Sequence, residues 1–156
     1  MQVACGGDAQ LHSLDVMSLL TRPLLIVAIW LTLSGPALCH ELTGEWILKV
    51  EDQHHKVITT LTVEFTSQKA SSCIGGKWMK MTVVSSTTED LHFYPVSDSL
   101  SYEIDKDKLT IGRNEICDAY LMLSGSLNNQ PVRGEYYGLG LGESTPLGFF
   151  TLSRKK

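Results

Sequence analysis

Between Val57 and Phe65 the side chains alternate without a break. Val57, Thr59, Leu61, Val63 and Phe65 fall on one side, and Ile58, Thr60, Thr62 and Glu64 on the other. A strand sends successive side chains to opposite faces, whereas a helix would scatter this set around its whole circumference. β-branched residues, abundant here, lose rotamer freedom in a helix and pack well on a pleated surface. The stretch therefore reads as a strand. Comparable runs cover residues 45–50, 78–84, 91–96, 100–104, 109–113, 119–123, 132–138 and 147–154. Turn chemistry separates them, in EDQH, SSTTED, VSDS, DKDK, SGSLNNQP and LGESTP. Beyond residue 40 no long stretch keeps a helical period, so the predicted class is all-β. Roughly eight short strands joined by short turns point to an antiparallel up-and-down barrel, with a small β-sandwich as the alternative.

The first part of the chain has a different character. Residues 24–33, LLIVAIWLTL, form an apolar run preceded by Arg22 and followed by SGPALC. A basic start, an apolar centre and a small-residue end are the order of an export signal. Residues 17–39 are accordingly expected to be a signal peptide cleaved before His40. Residues 1–16 carry Asp8 and Asp15 and no basic residue, a poor start for export, and read as a gene-model extension or disordered leader ahead of Met17. A membrane-spanning helix needs about 20 apolar residues. Here Ser34, Gly35 and Pro36 interrupt the run, which favours cleavage. A single-pass anchor holding the domain outside the cytoplasm is the alternative. The expected location is secreted or periplasmic, and residues 40–156 are the folded domain.

Past residue 39 only Cys73 and Cys117 remain. An even pair in an exported chain is expected to form a disulfide; in a reducing compartment two buried thiols would be expected instead. Neither lies in a C-x-x-C, so a zinc knuckle or redox-active pair has no support.

Formal net charge is -4, and the only basic cluster is the closing Arg154–Lys156, so a nucleic-acid partner is not expected. With 19% charged and 43% hydrophobic residues, the chain has the make-up of an ordinary globular domain. Chemistry-bearing groupings do not emerge. His54 and His55 are adjacent, would face opposite ways on a strand, and fall in a predicted turn. Gly138–Gly142, GLGLG, has no following helix or Lys-Ser pair and reads as a hairpin. Asp105 to Lys108 lacks the glycine a calcium loop needs at its sixth position, which is Thr110. No catalytic residue, metal or cofactor is expected, and the protein reads as a binding protein, not an enzyme.

Gly44 and Trp46 open the first strand, and Arg154 stands at the end of the last. This pairing resembles the calycin superfamily of up-and-down barrels, which includes lipocalins and avidins. The resemblance implies that Trp46 packs across the barrel floor and that Arg154 covers its ring, closing the barrel. LTGEW at 42–46 and YLMLSG at 120–125 are similar to the first and seventh strands of avidins. ILKVEDQ then stands where avidins carry biotin-holding polar residues, and Tyr120 where a lining Trp is expected, so biotin binding is not implied. Leu-x-Gly-x-Trp after a signal also resembles small bacterial inhibitors of secreted metalloproteases. Only His40 to Thr43 precede Gly44 here, which is short for their N-terminal arm.

The functional expectation is a binding module for a small apolar ligand, lined by the inward aromatics Trp78, Phe93, Tyr120 and Phe149. The alternative is a protein-interaction or protease-inhibitor domain that works through its loops. A third possibility is that these rings simply fill a barrel too narrow for any cavity.

Overall fold

A computed structural model of the chain describes residues 42–72, 75–94, 99–113, 120–140 and 142–156. The expected leader and signal, and both members of the Cys73–Cys117 pair, lie outside the described residues. Eight strands follow in order: β1 (Glu45–Asp52), β2 (Val57–Lys69), β3 (Met79–Thr88), β4 (Leu100–Asp105), β5 (Lys108–Arg113), β6 (Tyr120–Ser126), β7 (Val132–Leu139) and β8 (Ser144–Arg154). Each pairs antiparallel with the next, and β1 pairs with β8, so the sheet closes on itself. The barrel, not the sandwich, is the architecture.

Alternation decides what the wall encloses. Trp46, Leu48 and Val50 stand opposite Val63, Leu61 and Thr59 on β2, and opposite Arg154, Leu152 and Phe150 on β8. The same parity carries Ile111, Leu123 and Tyr136 into one row across β5, β6 and β7. Nearly all of these side chains are buried and together make a continuous core. Its apolar surface, removed from water, is the main stabilising term.

Two aromatic groups complete the packing. Where the chain enters, Trp46 meets Phe65 edge-on at 6.1 Å, and Phe65 meets Tyr102 edge-on at 4.8 Å. The Tyr102 hydroxyl donates to the Thr66 carbonyl at 2.8 Å. Towards the opposite end, Tyr136 contacts Phe93 at 4.9 Å and Tyr94 at 5.7 Å. Edge-to-face contacts of this kind add to simple area burial.

Strand 91–96 does not form in its described part, because residues 91–94 are a turn. The Asp90 carboxylate accepts from the His92 amide at 2.9 Å, and the Asp90 carbonyl accepts from the Phe93 amide at 3.2 Å. An aspartate that bonds its own downstream backbone favours a turn over a ladder. The apolar residues that imitate a strand here serve as a plug: Tyr94 is fully buried, and the Tyr136 hydroxyl donates to the Phe93 carbonyl. Burial pushes both phenols above their ordinary value, so both stay neutral.

Candidate functional site

The four aromatics expected to line a cavity are dispersed. Trp78 lies just before β3, near the end where the chain enters; it is buried but outside the core cluster, and its indole N–H donates to the Gly75 carbonyl at 3.2 Å. Phe93 sits in the turn after β3, packed on Tyr136 at the opposite end. Tyr120 is the first residue of β6 and half-buried. Phe149 faces outwards. Because Phe150 pairs with Val50 and is buried, its neighbour must project from the other face, and Phe149 is 38% exposed. The interior is filled instead by Leu48, Leu61, Ile111, Leu123, Tyr136 and Phe150, with other core side chains around them.

Gly44, Trp46 and Arg154 do converge. Gly44 holds φ at 79°, a left-handed turn into β1 that suits glycine. Arg154 stands directly opposite Trp46 across β1 and β8, with its Cζ 5.3 Å from the ring centroid. The next residue extends the seam: the Lys155 amide donates to the Glu45 carbonyl at 3.0 Å, and its ammonium pairs with the Glu45 carboxylate.

A second constellation forms on the outer wall. Phe149 on β8 has Glu51 of β1 directly opposite on one side and Glu135 of β7 on the other. The His55 imidazole lies flat on Phe149, with centroids 4.4 Å apart and planes within 11°. Its Nδ1 is 3.1 Å from a Glu51 carboxylate oxygen. Shallow depressions flank the ring, one of about 580 Å³ bounded by Gln53, Glu135, Tyr137 and Pro146, the other of about 480 Å³ by Glu51, His55, Arg133 and Thr151.

The β1–β2 turn puts His55 there. The Asp52 carboxylate accepts from the His54 amide at 2.8 Å and the Lys56 amide at 2.9 Å, and the His55 amide donates to the Asp52 carbonyl at 3.1 Å. His55 sits at φ 61°, in the left-handed region. Gln53 ties the turn to β8 by donating to the Pro146 carbonyl at 2.7 Å. A turn at His54 and His55 is legible in the sequence; the partner of His55 is not, since it comes from the far end of the chain.

The Lys56 amide hydrogen bond, aided by that of His54 and nearby positive charge, holds the Asp52 carboxyl below its ordinary value against a smaller desolvation effect. A depressed carboxyl pKa stabilises the folded turn above the unfolded value and loses that contribution as pH falls through the folded one. Protection of the Lys56 amide, its exchange rate referred to the intrinsic rate at each pH, is therefore expected to fall on the acid side in the native protein. Asp52→Asn, which keeps an acceptor but cannot titrate, is expected to remove that acid dependence. Hydrogen exchange followed by NMR across the carboxylate range checks it, and an unchanged pH profile in the variant would assign the effect elsewhere.

Among the described residues no group of three His, Cys, Asp or Glu side chains could hold a metal ion, and no helix is long and apolar enough to cross a membrane. Comparison of the chain with protein-family models, curated proteins and solved structures gives no match. The closed eight-strand antiparallel barrel is compatible with a calycin-like architecture.

Proposed function

We propose that this protein is an exported, calycin-like barrel that binds a protein partner with the outside of its wall, around Phe149 and the β1–β2 turn. The observation that carries this reading is the orientation of Phe149: a large ring kept at the surface and braced by His55, while the interior is filled by the chain's own side chains. The seam of Trp46 and Arg154 supports the calycin-like part, and the order of charge, apolar run and small residues in 17–39 supports export.

Charge selects the partner. Glu51 and Glu135 flank the ring from both neighbouring strands, a setting suited to a basic side chain whose aliphatic stem covers the phenyl and whose head meets the carboxylates. Arg133 borders the depression on the Glu51 side and Lys108 the one on the Gln53 side, so a basic head is confined to the carboxylates themselves. The small apolar ligand expected from the sequence would need Trp78, Phe93, Tyr120 and Phe149 to share one cavity, and that support is missing.

NMR titration with short Arg- or Lys-containing peptides, and with Glu-containing counterparts, tests the reading. Basic peptides are expected to shift the resonances of Phe149, His55 and Tyr137. Phe149→Ala and Glu135→Lys should each weaken binding roughly tenfold or more. Equal response to acidic and basic peptides, or lipid retained inside the natively purified protein, would sink it.

A further inference from the structure

The charges around Phe149 are nearly balanced. Glu51 and Glu135 stand on either side of it, and among the described residues Arg133 and Lys108 border the two depressions. The β8 residues of both depressions are uncharged. The fixed charges of the β1–β2 turn are engaged elsewhere, the Asp52 carboxylate with the His54 and Lys56 amides and the Lys56 ammonium with Glu89 at 2.8 Å. With two carboxylates set against two cations, the His55 imidazole over the ring decides the sign that an incoming group meets.

Nδ1 of His55 lies 3.1 Å from a Glu51 carboxylate oxygen, and a carboxylate only accepts. Nδ1 therefore carries the hydrogen in the neutral ring, and Nε2 is left to take a second proton. The contact exists in both states, so protonation changes the charge without moving the turn. The His55 side chain is 67% exposed and trades protons freely with water. That of Glu51 is 19% exposed, where a neighbouring charge is screened less. Neutral His55 leaves the carboxylate uncompensated. The imidazolium offsets it and, with centroids 4.4 Å apart and planes within 11°, lies as a cation on the face of Phe149. A basic side chain of a partner would have to make the same two contacts.

We propose that His55 is a proton-operated competitor for this surface: protonated, it occupies Glu51 and one face of Phe149 and disfavours a basic partner, and neutral, it admits one. The inference rests on the peptide-binding reading and adds its regulation. Its direction follows from charge. Once the ring is protonated, an Arg or Lys head near Glu51 gains less attraction and meets a like charge. An imidazole is the side chain whose charge ordinarily changes near neutrality. The pair lies near the surface, so the effect on affinity is on the order of threefold and shrinks with added salt. By reciprocity, a bound basic peptide loosens the His55 proton by the same factor.

NMR titration with a blocked Arg-containing peptide free of other titrating groups, at about pH 7.5 and about pH 5.5, tests it; this window lies above the ordinary carboxylate range. Affinity should fall about threefold at the lower pH. His54 is a second imidazole in the same turn, so two variants assign the effect. His55→Asn, which suits the left-handed φ of 61°, should abolish the difference between the two pH values whatever its own affinity, and His54→Asn should keep it. Should either variant fold poorly, the His55 ring resonances of the unmodified protein give a second readout, their titration moving to lower pH with saturating peptide. Equal affinity at both pH values, a difference that survives in His55→Asn, or a His55 titration indifferent to the peptide would overturn the proposal and leave the peptide-binding reading standing. No binding of the basic peptide at either pH would overturn both.

Discussion

Replacing Trp46 by Ala is expected to cost about 3–5 kcal/mol of stability, the range for truncating a buried aromatic ring. Trp46 is almost wholly buried and joins three parts of the barrel. It lies opposite Val63 on β2 and Arg154 on β8, and it meets Phe65 edge-on. Truncation would open a cavity where the first and last strands close. Chemical denaturation monitored by far-UV circular dichroism measures the loss. Arg154→Ala alone should cost only about 1 kcal/mol, since an exposed guanidinium over a ring contributes on that scale. The decisive quantity is their coupling. With the guanidinium carbon 5.3 Å from the indole, the double variant should lose less than the sum of the single losses by at least ~0.5 kcal/mol. Strict additivity would show that the two residues do not interact in solution.

Gly134→Ala should be as damaging, for the opposite reason. Gly134 on β7 stands opposite Gly125 on β6 and Phe150 on β8, all facing inwards. A Cβ at Gly134 would run into the Ser124 carbonyl oxygen and the Phe150 ring, and one at Gly125 would crowd the Arg133 carbonyl and the same ring. The glycine pair leaves a bare patch of backbone, and Phe150 lies over it, as aromatic residues do over cross-strand glycines in other sheets. Ala at Gly134 therefore has to push main chain as well as side chain. The expected loss is about 3 kcal/mol or more, at the upper end of overpacking effects, with Gly134→Val failing to fold. Phe150→Ala, which removes the cover instead, should cost a similar ~3–5 kcal/mol by leaving a cavity. Thermal and denaturant unfolding of these variants checks both signs. A Gly134→Ala protein as stable as the parent would mean that β6 and β7 can separate far more easily than the packing implies.

Much of the barrel was legible before any coordinates. Runs such as 57–65 announce strands because alternation of side chains is a property of the local backbone. The turn through Asp52 and His55 was legible for the same reason, since an aspartate bonding the next few amides is local chemistry. The failures share a cause. Residues 91–96 alternate as a strand would, but Asp90 captures the following amides and turns the chain, and only the Tyr136 side of the core explains why Phe93 and Tyr94 are apolar. Phe149 and Phe150 form a pair of adjacent rings with nothing in the local sequence to say which one points inwards. A shift of one residue in pairing exchanges the two faces of a strand. The contact of Phe150 with Val50 across the closing seam settles it, and in doing so leaves Phe149 outside beside His55.

By itself, then, the sequence determined an all-β chain of about eight strands, the alternation along each of them, and the Gly44, Trp46 and Arg154 pattern. These follow from periodicity and turn chemistry acting over a few residues. Only the tertiary structure decided that β1 closes on β8, that Gly125 and Gly134 lie beneath Phe150, that the expected lining rings are scattered, and that β3 bulges against β2 at Val84. Each of these depends on ladder register between segments distant in the chain, where hydrogen bonding and packing are decided jointly by both partners and cannot be read from either strand alone.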